Sequence, residues 1–334
     1  MLGLLDACHL GDSRIELARM CLDRGADVNG GDRAGHTPLW IACWKNHSEL
    51  ARLLLDRGAD VDLVLQSNVT PLFAACSEGH TEPSRLCLEH GAAVDWSWRG
   101  RTALLMASQN GHVGALTLCL DFGADVNWAN QSRGWTALHI ACQYDRVDVA
   151  RLCIDRGADV NLGTQSSVTP LHVACCNGKA DMVRLCLERG AEVDKASADN
   201  VSPLMIASIN GHIDAARLCL ERGADVFRAD DQGANPYHGA ETEGHAEMAA
   251  WLAVVQSMGW TRYLSVPRYE LVVLRELAAR GRARRQRAFF GKERALDLLF
   301  PAAARRSTRS NRRQSHLPDE LFCIIMRYYW GGEP

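Results

Sequence analysis

Between about residues 4 and 256, apolar positions come in paired short bursts at helical spacing, divided by turns rich in Gly, Asn and Asp. In one pair, Leu50, Leu53 and Leu54 stand at i, i+3 and i+4, the stripe of a helix that buries one face. His47 opens that helix, and Gly58 ends it as a left-handed C-terminal residue. The burst before it starts at Thr37, whose hydroxyl suits an N-cap. Pro38 follows at the first helical position, and the helix runs to about Trp44. Ala59 to Thr70 has no helical pattern and carries the chain onward. A helix pair this small cannot bury its stripe alone, so neighbouring pairs must stack.

The unit recurs. Gly-Ala-x-Val returns at Gly25, Gly58, Gly91, Gly123, Gly157, Gly190 and Gly223, at spacings of 33, 33, 32, 34, 33 and 33 residues. In step with it run Thr37-Pro38-Leu39, Thr70-Pro71-Leu72, Thr102-Ala103-Leu104, Thr136-Ala137-Leu138, Thr169-Pro170-Leu171, Ser202-Pro203-Leu204 and Asn235-Pro236-Tyr237. Two landmarks sharing one period mark a repeat architecture.

Thr169-Pro170-Leu171-His172-Val173-Ala174, Gly-Ala-Asp-Val-Asn at Gly25, Gly123 and Gly157, and Gly-His at Gly79, Gly111, Gly211 and Gly244 resemble the ankyrin repeat. The resemblance covers about residues 4 to 256. It implies an all-α fold, an ankyrin-repeat solenoid of helix pairs with protruding β-hairpin loops, here followed by a short helical tail. The first unit, Leu4 to Asn29, lacks the Thr-Pro entry and carries two extra residues between Cys8 and Glu16, as an N-terminal cap would. The last has Asn235 for Thr, with Glu241, Thr242 and Glu243 where small or apolar residues are usual; a terminal repeat needs such a polar face. Asn68, Ser167 and Asn200 replace the loop glycine. Asn tolerates positive φ, whereas Ser167 does so poorly and weakens its turn.

The resulting division is an N-terminal capping repeat (1–33), six repeats (34–231), a degenerate C-terminal capping repeat (232–256), a basic helical extension (257–300), a basic disordered linker (301–316) and an amphipathic C-terminal helix (317–334).

At 47% hydrophobic and 23% charged residues, the chain has ordinary globular composition. No run of residues is long and apolar enough for a membrane helix, and Met1 to Leu10 lacks the basic start of a signal peptide. Thirteen cysteines raise the question of metal or redox chemistry. Six of them (Cys21, Cys87, Cys119, Cys153, Cys186, Cys219) share one position in the second helix, and five (Cys8, Cys43, Cys76, Cys142, Cys175) share one in the first. They read as small core hydrophobes, held as thiols inside the cell, in cytoplasm or nucleus, with no disulfides expected. No Cys-x-x-Cys, His-Glu-x-x-His or phosphate-binding glycine loop is present, so catalysis, a metal and a cofactor are not expected. The resemblance assigns His139, His172 and His238 to hydrogen bonds between units.

It also places recognition on loop tips and the exposed end of each first helix. By register these are Trp44, Lys45, Trp96, Trp98, Arg99, Arg101, Gln109, Asn110, Trp128, Arg133, Trp135, Gln143, Tyr144, Gln165 and Asn177. Trp, Tyr and Arg are the residue types that dominate interface energies. The alternative for Trp96 and Trp128 is loop-on-loop packing. The expected function is non-enzymatic binding of a protein partner on the concave face.

Charge divides along the chain. Residues 1–256 hold 21 basic and 33 acidic side chains, and residues 257–316 hold 15 and 4. The stretches Arg282–Arg287 and Arg305–Arg313 lack interleaved aromatics, so a solvated linker is expected rather than a nucleic-acid site. Leu317-Pro318-Asp319-Glu320-Leu321 is a strong helix start, and Leu321, Ile324, Ile325 and Tyr328 line one face. Over about 14 residues this resembles the opening helix of an F-box. That resemblance implies a second function, a ubiquitin-ligase substrate adaptor docking its scaffold through Leu317, Pro318, Leu321, Ile324, Ile325 and Tyr328.

Overall fold

A computed structural model describes residues 3–66 and 69–260. Asn68, the basic extension beyond Trp260, the linker and the C-terminal helix with its six docking residues lie outside the described residues. The chain divides after Pro203 into two compact units.

The first unit is a double row of helices. One row holds α1 (Leu4–Leu10), α3 (Pro38–Trp44), α5 (Pro71–Glu78), α7 (Ala103–Asn110), α9 (Ala137–Tyr144) and α11 (Pro170–Cys176). The other holds α2 (Ile15–Asp23), α4 (Ser48–Asp56), α6 (Thr81–Glu89), α8 (Val113–Asp121), α10 (Val147–Asp155) and α12 (Ala180–Glu188). Each helix touches its pair mate and the next helix of its own row. Leu39, Leu72, Leu104, Leu138 and Leu171, one per repeat, are buried between the rows. The extra residues of the first repeat form a short 3-10 turn, Gly11–Arg14.

The helix starts follow from capping. Thr37 accepts the Trp40 amide at 3.1 Å, Thr70 that of Phe73 at 3.2 Å and Thr102 that of Leu105 at 3.3 Å. At the three motif histidines, His139, His172 and His238, the cap doubles. The Thr136 and Thr169 amides donate to Nδ1 of His139 and His172, at 3.4 and 3.1 Å, while each Nε2 lies 3.0 Å from the carbonyl of Val168 or Val201 in the following loop. Those partners set the tautomer: Nδ1 accepts and Nε2 carries the proton. His139 and His172 therefore tie a cap to the next repeat.

A second joint links consecutive repeats at the turn inside each helix pair. Nε2 of His80 lies 3.1 Å from the Trp44 carbonyl, and Nε2 of His112 the same distance from that of Ser77. Gly79, at φ +78°, lies under the His112 ring, so close that an added Cβ would fall 2.5 Å from it. Further along, Arg146 replaces the histidine and donates to the Gln109 carbonyl at 3.1 Å. At the following joint Asp145 (φ +58°) stands in the glycine place, and Lys179 pairs with it at 3.2 Å.

The loops are held by side chains more than by strands. Among the described residues one ladder forms, β1 (Ser97–Trp98) with antiparallel β2 (Arg101–Thr102). The other expected hairpins are turns closed by a polar side chain, such as Asp32 on the His36 amide at 2.9 Å. Ser167 does reach positive φ (+56°). Thr164 makes that turn possible, its carbonyl accepting the Ser167 amide at 2.8 Å and its hydroxyl the Val168 amide at 3.2 Å. The Gly-Ala-Asp-Val-Asn asparagines zip successive loops: Asn127 accepts from Asp159 at 2.9 Å, and Asn161 from Glu192 at 2.8 Å.

Most of the described repeat cysteines are fully buried, with Cys21 half-exposed. Sulfur meets sulfur between neighbouring repeats at 3.4 Å (Cys43–Cys87), 3.6 Å (Cys76–Cys119) and 4.0 Å (Cys142–Cys186). These are contacts, well beyond the roughly 2.05 Å of a disulfide bond. The hydrogen bond to the neighbouring thiol, and then burial, push Cys87, Cys119 and Cys142 well above the ordinary thiol pKa, which keeps them protonated.

The second unit contains α14 (Ile213–Glu221), α15 (Pro236–Thr242) and α16 (Ala246–Met258), with α13 (Pro203–Ile209) beginning at the division. Asn235 caps α15 by accepting the His238 amide at 3.2 Å. Glu241, Thr242 and Glu243 are exposed. Trp251, in the middle of α16, is fully buried and meets Trp260 edge to face at 6.1 Å.

Candidate partner-binding cleft

The β1–β2 turn places Arg99 and Gly100 at φ +50° and +70°, the left-handed pair that a two-residue hairpin requires. Gly100 meets that demand without strain, whereas Arg99 takes it at a steric cost of about 1–2 kcal/mol. The Arg99 guanidinium lies 4.7 Å from the centroid of the Trp98 ring, a cation–π contact that fixes the side chain at the loop tip.

The next loop is organised by Asn130, which accepts the Arg133 amide at 3.0 Å and the Trp135 amide at 3.1 Å and donates its own amide to the Trp135 carbonyl at 2.9 Å. Gln165, from the loop beyond, donates its amide to the Arg133 carbonyl at 3.3 Å and its side chain to Gln131 at 2.9 Å. Two successive loop tips are thus fixed side by side. Between the Arg99–Arg101 tip, the Asn130–Trp135 loop and the ends of α7 and α9 opens a cleft of about 520 Å³. Arg99, Arg101 and Arg133 stand at its rim, Trp135 and Tyr144 on its wall, and Leu105, Met106 and Ile140 on its floor, with Gln109 and Gln143 between. Ile140, Gln143 and Tyr144 face the cleft together because they sit at i, i+3 and i+4 of one helix.

The cleft is cationic. Among the described residues no carboxylate lines it, and none of its three arginines makes an ion pair. Outside the cleft, Arg57 pairs with Asp23 at 2.8 Å and Arg156 with Asp121 at 2.7 Å.

Seven positions selected by register therefore line one cleft: Arg99, Arg101, Gln109, Arg133, Trp135, Gln143 and Tyr144. The others lie apart from it or hold the scaffold. Trp44 is exposed and stacks at 5.5 Å on Trp40, which stacks at 4.0 Å on His36. Lys45 donates to the His9 carbonyl at 3.4 Å. Trp96 packs edge-on against Phe73 of α5 at 6.3 Å, a loop ring on a helix. Trp98 supports Arg99. Asn110 donates to the Ser77 carbonyl at 2.7 Å and so joins two repeats. Trp128 is half-buried, Gln165 braces the neighbouring loop, and Asn177 ends α11 with Nδ2 buried and unsatisfied among the described residues. Register alone missed Leu105, Met106 and Ile140. They were legible as apolar residues one turn before Gln109 and Gln143 on the same helix faces.

Among the described residues no group of three or more His, Cys, Asp or Glu side chains could hold a metal ion, and no helix is long and apolar enough to cross a membrane.

Stacked helix pairs of one period, carrying an open cleft between loop tips, define a helical-repeat interaction scaffold. Models of ankyrin repeats match residues 3–64, 60–127 and 113–197 as triple repeats and 199–231 as a single repeat, and the chain belongs to the ankyrin-repeat family. The crystal structure of the human ASB11 ankyrin repeat domain is similar to it, with a TM-score of 0.56 at 26% identity, over 61% of this chain and 91% of that one. No curated protein matches the chain. Ankyrin repeats are protein–protein interaction modules and are typically non-enzymatic.

Proposed function

We propose that the chain is a non-enzymatic adaptor whose cleft between the fourth and fifth repeats grips a segment of a protein partner on the concave ankyrin face. The observation that carries this reading is the convergence of Arg99, Arg101, Arg133, Trp135 and Tyr144 on one open cleft with an apolar floor. Trp98 extends the surface at its rim, and Trp44, Lys45 and Asn177 mark where a longer partner would continue. An intracellular site of action is supported by the unbonded thiol contacts, which suit a reducing compartment.

The test is affinity capture with the full chain and with a Trp135→Ala/Tyr144→Ala double variant. Partners retained by the parent chain are expected to be lost by the variant, with the circular dichroism of the two unchanged. Equal capture by both sinks the reading.

The Leu317-Pro318-Asp319-Glu320-Leu321 helix start favours a second reading, docking to a ubiquitin-ligase scaffold. Co-purification with a Skp1-type or cullin protein that is lost on deleting residues 317–334 supports it, and no such co-purification removes it.

A further inference from the structure

We propose that the segment the cleft takes is an acidic peptide, with Asp or Glu carboxylates flanking one aliphatic or aromatic anchor. This rests on the partner-binding reading and names the chemistry of the partner.

Three observations carry it. The first is charge. Three guanidiniums surround a cleft that contains no carboxylate, in a domain that otherwise carries an excess of acids. Each is a planar fork suited to bidentate capture of a carboxylate, and none is committed to an ion pair within the described residues.

The second is backbone strain. The turn position of Arg99 favours Gly, Asn or Asp, and a bulky cationic residue occupies it nonetheless, held over the Trp98 ring. Strain kept at a cleft is the kind that serves a site rather than the fold.

The third is the floor. Leu105, Met106 and Ile140 lie below the arginines, with Trp135 and Tyr144 beside them, so an anchor side chain enters where its flanking carboxylates meet the rim. The amides of Gln109 and Gln143 also line the cleft, suited to a peptide backbone.

A nucleic-acid strand fits less well, although arginine and tryptophan also stack on bases. Its phosphates continue past the cleft, along a domain in which 33 acidic residues face 21 basic ones, and are repelled there. A short peptide can confine its charge to the rim.

The experiment displays a random dodecapeptide library against the immobilised full chain, in parallel with an Arg101→Glu/Arg133→Glu variant. Both arginines are exposed, so folding is expected to survive and is checked by circular dichroism; Arg101→Gln/Arg133→Gln is the milder backup. The parent chain is expected to enrich peptides rich in Asp and Glu around one apolar residue. A synthetic peptide from that pool is expected to bind about tenfold tighter than its Asn/Gln counterpart, and to lose about tenfold on the reversed variant or at high salt. No enrichment, enrichment without acidic bias, equal binding of the amide peptide, or tighter binding of an oligothymidylate overturns the proposal.

The two readings fail separately. If charge reversal leaves partner capture intact while Trp135→Ala/Tyr144→Ala abolishes it, the cleft stands and the acidic class falls. If neither variant affects capture, both fall.

Discussion

His139 and His172 each do two jobs with one ring: Nδ1 completes a helix cap, and Nε2 holds the following loop. Both jobs require the neutral imidazole. Burial, assisted by the neighbouring His172, lowers the pKa of His139 from 6.5 to about 4, and burial lowers that of His172 as well. The unfolded chain therefore binds protons that the folded chain refuses. The stability associated with His139 is fully present above pH 6.5 and is lost as pH falls toward about 4. The full loss amounts to about 3 kcal/mol. Thermal melts across that range are expected to show a falling Tm, and His139→Asn to show a lower Tm at neutral pH with a weaker dependence on acid. A parallel decline in the variant would exclude His139 as the source. The sequence made these histidines legible as links between units, because they sit in a repeated motif. It did not make the thiol-to-thiol contacts legible, since those join different positions of different repeats. It also made Ser167 look like a weak turn, because the compensation comes from Thr164, three residues away.

Helix boundaries were the most readable feature, because Thr-Pro at the start and Gly at the end act within a single turn of chain. Their worth is testable at one cap. Thr169 is buried, its hydroxyl accepts the His172 amide at 3.4 Å, and it lies 2.8 Å from Nδ1 of the same ring. Replacing a capping Thr by Ala costs about 0.5–2 kcal/mol. Thr169→Ala is expected at the upper end because it also leaves His172 short of a partner, and urea denaturation measures it; a loss no greater than that of Thr37→Ala would show that the ring adds nothing. Strands were the least readable element. Whether a loop forms a ladder or a side-chain-closed turn depends on a few residues at its tip, and the Trp98-Arg99-Gly100-Arg101 tip forms the ladder described here. That same tip supplies the arginine rim, so the part of the site hardest to see in the sequence was its backbone support rather than its residue types.

In the first unit each repeat rests on its immediate neighbours, so damage should spread by proximity rather than fall on the whole domain at once. Leu138, fully buried in α9, is a suitable probe. Leu138→Ala is expected to cost about 2–5 kcal/mol. Hydrogen exchange should show faster opening in α9 and α10 first, in α7 and α11 next, and least in α1 and α2. Uniform acceleration would indicate a single cooperative block. Charge was legible at this scale from counting alone, as an acidic repeat region followed by a basic segment. The local reversal of sign at the cleft was not, because it arises only when three arginines from two loops come together.

The joint between the fifth and sixth repeats gives the stack a reading order. Where the joint formed by Gly79 and His112 is a glycine beneath a histidine ring, any unit with those two residues would dock on any other, and the repeats would be interchangeable parts. Asp145 and Lys179 replace both halves of that joint together. A transplanted unit offering a histidine in place of Lys179 would give up the ion pair, and one offering glycine in place of Asp145 would leave the lysine without it. The fifth and sixth repeats are thus keyed to each other. A chain reassembled by shuffling units should tolerate cuts at the glycine–histidine joints and resist a cut at this one.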